Sequence, residues 1–178
     1  VAELKGRQRR RVFRSLGVTG KKIKIAIGSF IDTSCVMMNG LREAYPDAEI
    51  VEDFSIMTGL RQIKSENELA CMREGFRISE IATEKVLNEM EAGMTEQQVV
   101  GIAQGAMYAE GAEYEGHPTY VLSGDASTHA IGRPSPKVLK AGEMIQLNVG
   151  ALVAGYSSSV GRPVCIGSMP ADMRELVE

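Results

Sequence analysis

The sequence predicts an α/β (α+β) chain in two parts. The end of a small α/β unit comes first, then two capped helices that cover a curved antiparallel sheet. Three observations carry this. Residues 22–27 (Lys-Ile-Lys-Ile-Ala-Ile) alternate with a period of two and precede a helical stretch and a second short apolar run. Ser65-Glu66-Asn67-Glu68 and Thr95-Glu96-Gln97-Gln98 are capping boxes, in which side chain and backbone satisfy each other's free N–H groups at a helix start. Beyond Gly111 the helical period gives way to short apolar runs separated by Gly and Pro, the pattern of strands and turns.

In chain order, Arg7, Arg9, Arg10, Arg11 and Arg14 surround Val12, Phe13 and Leu16 and read as the solvated face of a helix closed by Gly17. The strand over residues 22–27 follows, then a helix through Val36, Met37, Leu41 and Ala44 that stops near Tyr45-Pro46, then a short strand at Glu49-Ile50-Val51. From Ser65 a helix carries Leu69, Met72, Phe76, Val86 and Met90 as its apolar face and ends at Ala92-Gly93. The helix from Thr95 places Val99, Ile102, Ala103 and Ala106 on one face and ends at Gly111. Strands are expected at Thr119-Tyr120-Val121-Leu122, at residues 144–149 and at residues 159–166, with a helix opening at Pro170.

Composition bounds the function classes. The 178 residues are 44% hydrophobic and 24% charged with a net charge of -3, a globular mixture with no global attraction for nucleic acid or anionic membrane. No apolar run is long enough for a membrane helix. The first residues lack a signal-peptide core and an initiator Met, so a cytoplasmic protein is expected, represented by a fragment or a processed chain. Cys35, Cys71 and Cys165 are scattered and odd in number, which reads as reduced thiols.

Several segments taken together resemble one family. Leu60-Arg61-Gln62-Ile63-Lys64-Ser65-Glu66-Asn67-Glu68, Ser123-Gly124, Lys140-Ala141-Gly142-Glu143, Asn148-Val149-Gly150-Ala151 and Gly155-Tyr156-Ser157-Ser158-Ser159-Val160-Gly161-Arg162 occur in the order of motifs in the creatinase, prolidase and aminopeptidase P family. The resemblance implies the first half of a pita-bread domain over residues 60–178, preceded over residues 1–59 by the C-terminal part of a smaller N-terminal domain. It implies a Xaa-Pro peptidase-like or creatinase-like hydrolase of C–N bonds, with a small molecule or peptide as substrate. Half of a two-lobed domain would leave an unfinished sheet with an exposed apolar edge, so pairing with a second copy, a homodimer, or with the missing half is expected. The family's remaining ligands, a His and two Glu, belong to a second half that residues up to Glu178 do not include.

The departures from the family pattern concern the site. The family's metallopeptidases hold a pair of Mn, Co or Zn ions and have metal-ligating aspartates where this chain has Asn148 and Ser159. An amide and a hydroxyl remove two negative charges from a site that divalent cations require to be anionic. No bound metal pair is therefore expected, and Asn148 and Ser159 become candidate substrate-binding residues on neighbouring strands. The family's functional His falls at Ile131 when both flanks are overlaid, so His129, two residues away and on the same face of an extended chain, is the catalytic candidate. The alternative for His129 is an ordinary loop histidine. His117, before Pro118, is a candidate substrate contact. Arg162 could pair with a neighbouring carboxylate or with one on a ligand. Two function classes remain open, a hydrolase that works without metal through a histidine acid/base and a non-catalytic module that binds peptide or protein.

Overall fold

A computed structural model describes residues 23–29 and 31–177. The chain divides into two compact units, Val1–Ile63 and Lys64–Glu178. The basic helix expected before Gly17 lies outside the described residues, as does Lys22 of the first strand. The sequence placed the boundary after residue 59. The structure instead runs a helix across that point and breaks at Ile63, whose extended backbone caps the helix.

In the first unit, β1 (Lys24–Ile27) and β2 (Glu49–Glu52) pair in parallel, Ile25 opposite Ile50. They are joined through α1 (Cys35–Ala44), whose N-cap Ser34 accepts from the Met37 N–H. The sequence reading had no helix after β2, yet α2 spans Phe54–Gln62, started by the Asp53 carboxylate accepting from the Ser55 N–H. The omission has a physical basis. Phe54 and Met57, like Ile56 and Leu60, recur at helical spacing, but the run is short and all four are at least half exposed, so no buried face distinguishes it.

In the second unit, α3 (Glu66–Glu89) and α4 (Glu96–Ala109) each begin with a complete capping box. At α3, the Glu68 carboxylate accepts from the Ser65 N–H and hydroxyl, and also from the Tyr156 hydroxyl at 2.8 Å. These bonds hold Glu68 at a pKa of about 2. The helix ends at Glu89, earlier than the expected Ala92-Gly93.

The buried stripe of α3 also differs from expectation. Phe76 is exposed, and the helix buries Gly75, Ile78, Ser79, Ala82, Thr83 and Val86. Small residues are needed because backbone lies close by. A Cβ on Gly75 would meet the Ser158 hydroxyl oxygen at 3.3 Å, and the Ala151 N–H donates to the hydroxyls of both Ser79 and Ser158 at 3.0 Å.

Two three-stranded antiparallel sheets follow. One has the order β4 (Tyr120–Ser123), β5 (Met144–Val149), β8 (Val160–Cys165). The other joins β3 (Tyr114–Glu115), β6 (Ala151–Val153) and β7 (Tyr156–Ser157). The bend at Ala154-Gly155 has positive φ at both residues. A short helix, α5 (Ala171–Val177), ends the described chain. Along β5 burial alternates strictly. Ile145, Leu147 and Val149 are fully buried and form one core with Ile78, Val86, Val99, Ala103 and Met107 of α3 and α4. Met144, Gln146 and Asn148 therefore point to the other face.

Candidate functional site

The site lies on the face of the β4–β5–β8 sheet turned away from the helices. Register places Tyr120 across from Asn148 on one side and Gly161 on the other, with Leu122 and Pro163 flanking Gln146 in the same way. A cleft of about 530 Å³ opens on this face, bordered by Met144, Gln146, Asn148, Gly161, Pro163 and the last residues of α5.

Asn148 and Ser159 meet, as expected. The Ser159 hydroxyl donates to Asn148 Oδ1 at 3.0 Å. Ser159 is exposed, and no acceptor among the described residues engages the Asn148 amide nitrogen. Both side chains are neutral, and one lone pair of the amide oxygen is already occupied. Among the described residues no group of three His, Cys, Asp or Glu side chains converges. The two positions that the family resemblance assigns to metal do not fit a pair of divalent cations in chemistry or in charge.

His117 approaches Tyr120, the residue in register with Asn148. Its ring stacks on Tyr120 with centroids 5.7 Å apart, and Nδ1 lies 2.8 Å from the Pro118 carbonyl oxygen. That contact makes Nδ1 the proton-bearing nitrogen of the neutral ring and leaves Nε2 with a lone pair. Nε2 is buried without a partner among the described residues. The ring reaches this position because residue 150 is glycine. A Cβ there would come within 2.6 Å of Nε2, and closer still to the Ser158 carbonyl oxygen. Glu115 is nearby. Burial raises its pKa, but hydrogen bonds from Gln104 and Thr119 outweigh that and lower it overall.

His129 is exposed at the end of a 3-10 turn over Gly124–Thr128. Its backbone is held, because Gln146, with its amide nitrogen turned toward the loop, donates to the carbonyl oxygens of Ser127 and His129. Its side chain makes no hydrogen bond among the described residues. Ile131 is 79% exposed. Arg162 stands in register with Leu147, not with Asn148, and its guanidinium donates to the Gly161 carbonyl at 2.7 Å. A carboxylate partner for Arg162 is absent among the described residues.

One residue shaping the site was missed by the sequence reading. Glu96 is 1% exposed and accepts four bonds, from the N–H and hydroxyl of Ser123 and of Ser135. Burial pushes its carboxyl up, and the four hydrogen bonds more than reverse this, so the net shift is downward. Lys137 donates to the Ser123 carbonyl and lies 3.5 Å from Glu143. Glu96 thus ties both ends of the loop carrying His129 and Ile131 to the start of α4. The available signal was a Glu directly after an N-cap and two serines flanking a Pro-rich loop, which sequence alone ascribes to helix-end charge and turn chemistry.

A capped helix pair backing a curved sheet, with its site on the opposite face, defines the class of protein. The model of metallopeptidase family M24 matches residues 70–178, and the chain belongs to that family. An uncharacterised peptidase of Bacillus subtilis is 30% identical over 132 residues, 74% of this chain and 37% of the relative. The Xaa-Pro dipeptidase of Pyrococcus furiosus is 26% identical over 142 residues, 80% of this chain and 41% of the relative. Among solved structures, an X-Pro aminopeptidase from Thermotoga maritima superposes with a TM-score of 0.81 at 25% identity, over 96% of this chain and 46% of the other. The prolidase from Pyrococcus furiosus gives 0.77 at 25% identity, over 87% and 45%. The chain spans less than half the length of these relatives, and its architecture is that of the first part of their pita-bread fold.

Proposed function

We propose that the protein containing this chain is a hydrolase of C–N bonds in peptides or related small molecules, akin to the Xaa-Pro dipeptidases it resembles, and that it works without a divalent metal pair. The observation that carries this is the hydrogen bond from Ser159 to Asn148 at the two positions where the family's metallopeptidases have metal-ligating carboxylates. Such a site binds through hydrogen bonds, and the acid/base work falls to an imidazole. The accessible candidate is His129, exposed at the end of the loop whose backbone Gln146 holds, whereas the His117 Nε2 is buried against Gly150. Family likeness supports a homodimer, and the free thiols of Cys35, Cys71 and Cys165 fit a reducing compartment such as the cytoplasm. Among the described residues no helix is long and apolar enough to cross a membrane.

The test pairs metal analysis with turnover. Full-length protein supplied with Mn²⁺ is expected to retain no stoichiometric metal, and its activity on Xaa-Pro dipeptides is expected not to rise with added Mn²⁺ or Co²⁺. The double variant Asn148→Asp, Ser159→Asp restores two carboxylates and is expected to raise metal retention. Two equivalents of metal in the unaltered protein would overturn the proposal. A second reading, a non-catalytic module that binds peptide or protein, draws on Ile131, an exposed apolar side chain at the position of the family's functional His. Absence of turnover on any amide substrate would favour it.

A further inference from the structure

We infer that Asn148 and Ser159 form a recognition pair for a neutral amide, binding a ligand carbonyl through the Asn148 Nδ2 donor. This rests on the proposed metal-free reading of the same site and names the chemistry that the pair selects. Three observations converge on it.

The hydroxyl of Ser159 donates to Oδ1, so the carboxamide oxygen faces Ser159. Asparagine has one acceptor oxygen and one NH₂ donor group, so engaging Oδ1 leaves the NH₂ as the group available to a ligand. Having given its proton to Asn148, the exposed Ser159 oxygen keeps its lone pairs. The pair therefore offers a donor next to an acceptor. A peptide or lactam amide, with C=O and N–H side by side, complements that arrangement. A carboxylate would place its second oxygen against the Ser159 lone pairs. A metal cation would meet the donor hydrogens of Nδ2.

The second observation is space. Gly161 lies directly across from Asn148, and a Cβ there would stand 4.0 Å from Oδ1. The missing side chain leaves the Cγ and Oδ1 side of the carboxamide uncovered toward β8, so the residue opposite does not crowd the group. The third is the setting. Asn148 borders the cleft, while the other carboxamide on the same face, Gln146, is committed to the carbonyls of Ser127 and His129. Met144, Pro163 and Leu176 supply apolar walls. Small-ligand sites take this form, an apolar hollow with a few polar groups that fix orientation.

The experiment uses the full-length protein and a blocked, uncharged probe, N-acetylglycine methylamide, with acetate as the anionic control. Calorimetry measures binding, and the side-chain NH₂ signal of Asn148 in ¹⁵N-labelled protein reports its place. The probe is expected to shift that signal saturably and acetate to leave it unchanged. Asn148→Asp keeps the shape and replaces the donor with an acceptor, so it is expected to weaken the probe about 10-fold or more. Equal binding by Asn148→Asp, displacement of the probe by acetate, or no shift at Asn148 would each overturn the inference. The Asn148 signal is read in the unaltered protein, so the result stands even if the variant folds poorly. Probe binding at Asn148 without turnover of any amide would leave the inference intact and remove the hydrolase reading. Turnover that is indifferent to Asn148→Asp would do the reverse.

Discussion

At the scale of single residues, the site is built as much by missing side chains as by present ones. Gly150 admits the His117 ring, and a Cβ there would overlap both the ring and the Ser158 carbonyl. Backbone cannot yield as a flexible side chain can, so Gly150→Ala is expected to cost about 3 kcal/mol and to shift the His117 ring signals, with chemical denaturation and NMR as the measurements. The Asn148–Ser159 pair was legible in the sequence because strand alternation and motif order placed both residues on one face. The position of His117 was legible only as proximity, since its approach to Gly150 depends on a turn between two sheets. Glu96 was not legible at all. Its four partners come from segments 27 and 39 residues away, and nothing local marks a carboxylate that will be buried.

Among the elements, helix starts were the most readable and helix faces the least. Both capping boxes formed as the local chemistry dictates. The buried stripe of α3 did not follow the largest apolar residues, because close approach of Ala151 and Ser158 selected Gly75 and Ser79. Removing the cap hydroxyl with Ser65→Ala is expected to raise the Glu68 pKa from about 2 toward the ordinary carboxylate range, measurable by an NMR pH titration. Glu96 links α4 to the 123–137 loop. Its pKa is lowered in the folded state, so its contribution to stability is present above the ordinary carboxylate pKa and is lost as pH falls through the lowered one. Glu96→Gln places an NH₂ group against donors of Ser123 or Ser135. It is expected to lose about 2 kcal/mol near neutral pH and to flatten the acid limb of the stability profile, as read by denaturation at a series of pH values.

For the molecule as a whole, the decisive feature is an open sheet. Among the described residues β8 pairs only with β5, and Gly161, Arg162 and Pro163 along it are exposed. An unpaired strand presents a row of free N–H and C=O groups to any other chain. Pro163 removes one donor from that row and Arg162 adds a charge, both of which weaken edge pairing without abolishing it. The apolar residues Phe54, Ile56, Met57 and Leu60 on α2 give the first unit an uncovered apolar face of its own. The matched part of this chain covers less than half of each of these relatives, and their additional residues are available to cover such surfaces. The 178-residue polypeptide, produced by itself, is therefore expected to self-associate, with β8 as one contact. Light scattering over a concentration series measures this, and replacing the exposed Gly161 with Lys on the edge strand is expected to shift the population toward monomer. A monodisperse monomer at every concentration would show that the charge of Arg162 and the missing donor at Pro163 suffice to protect the edge.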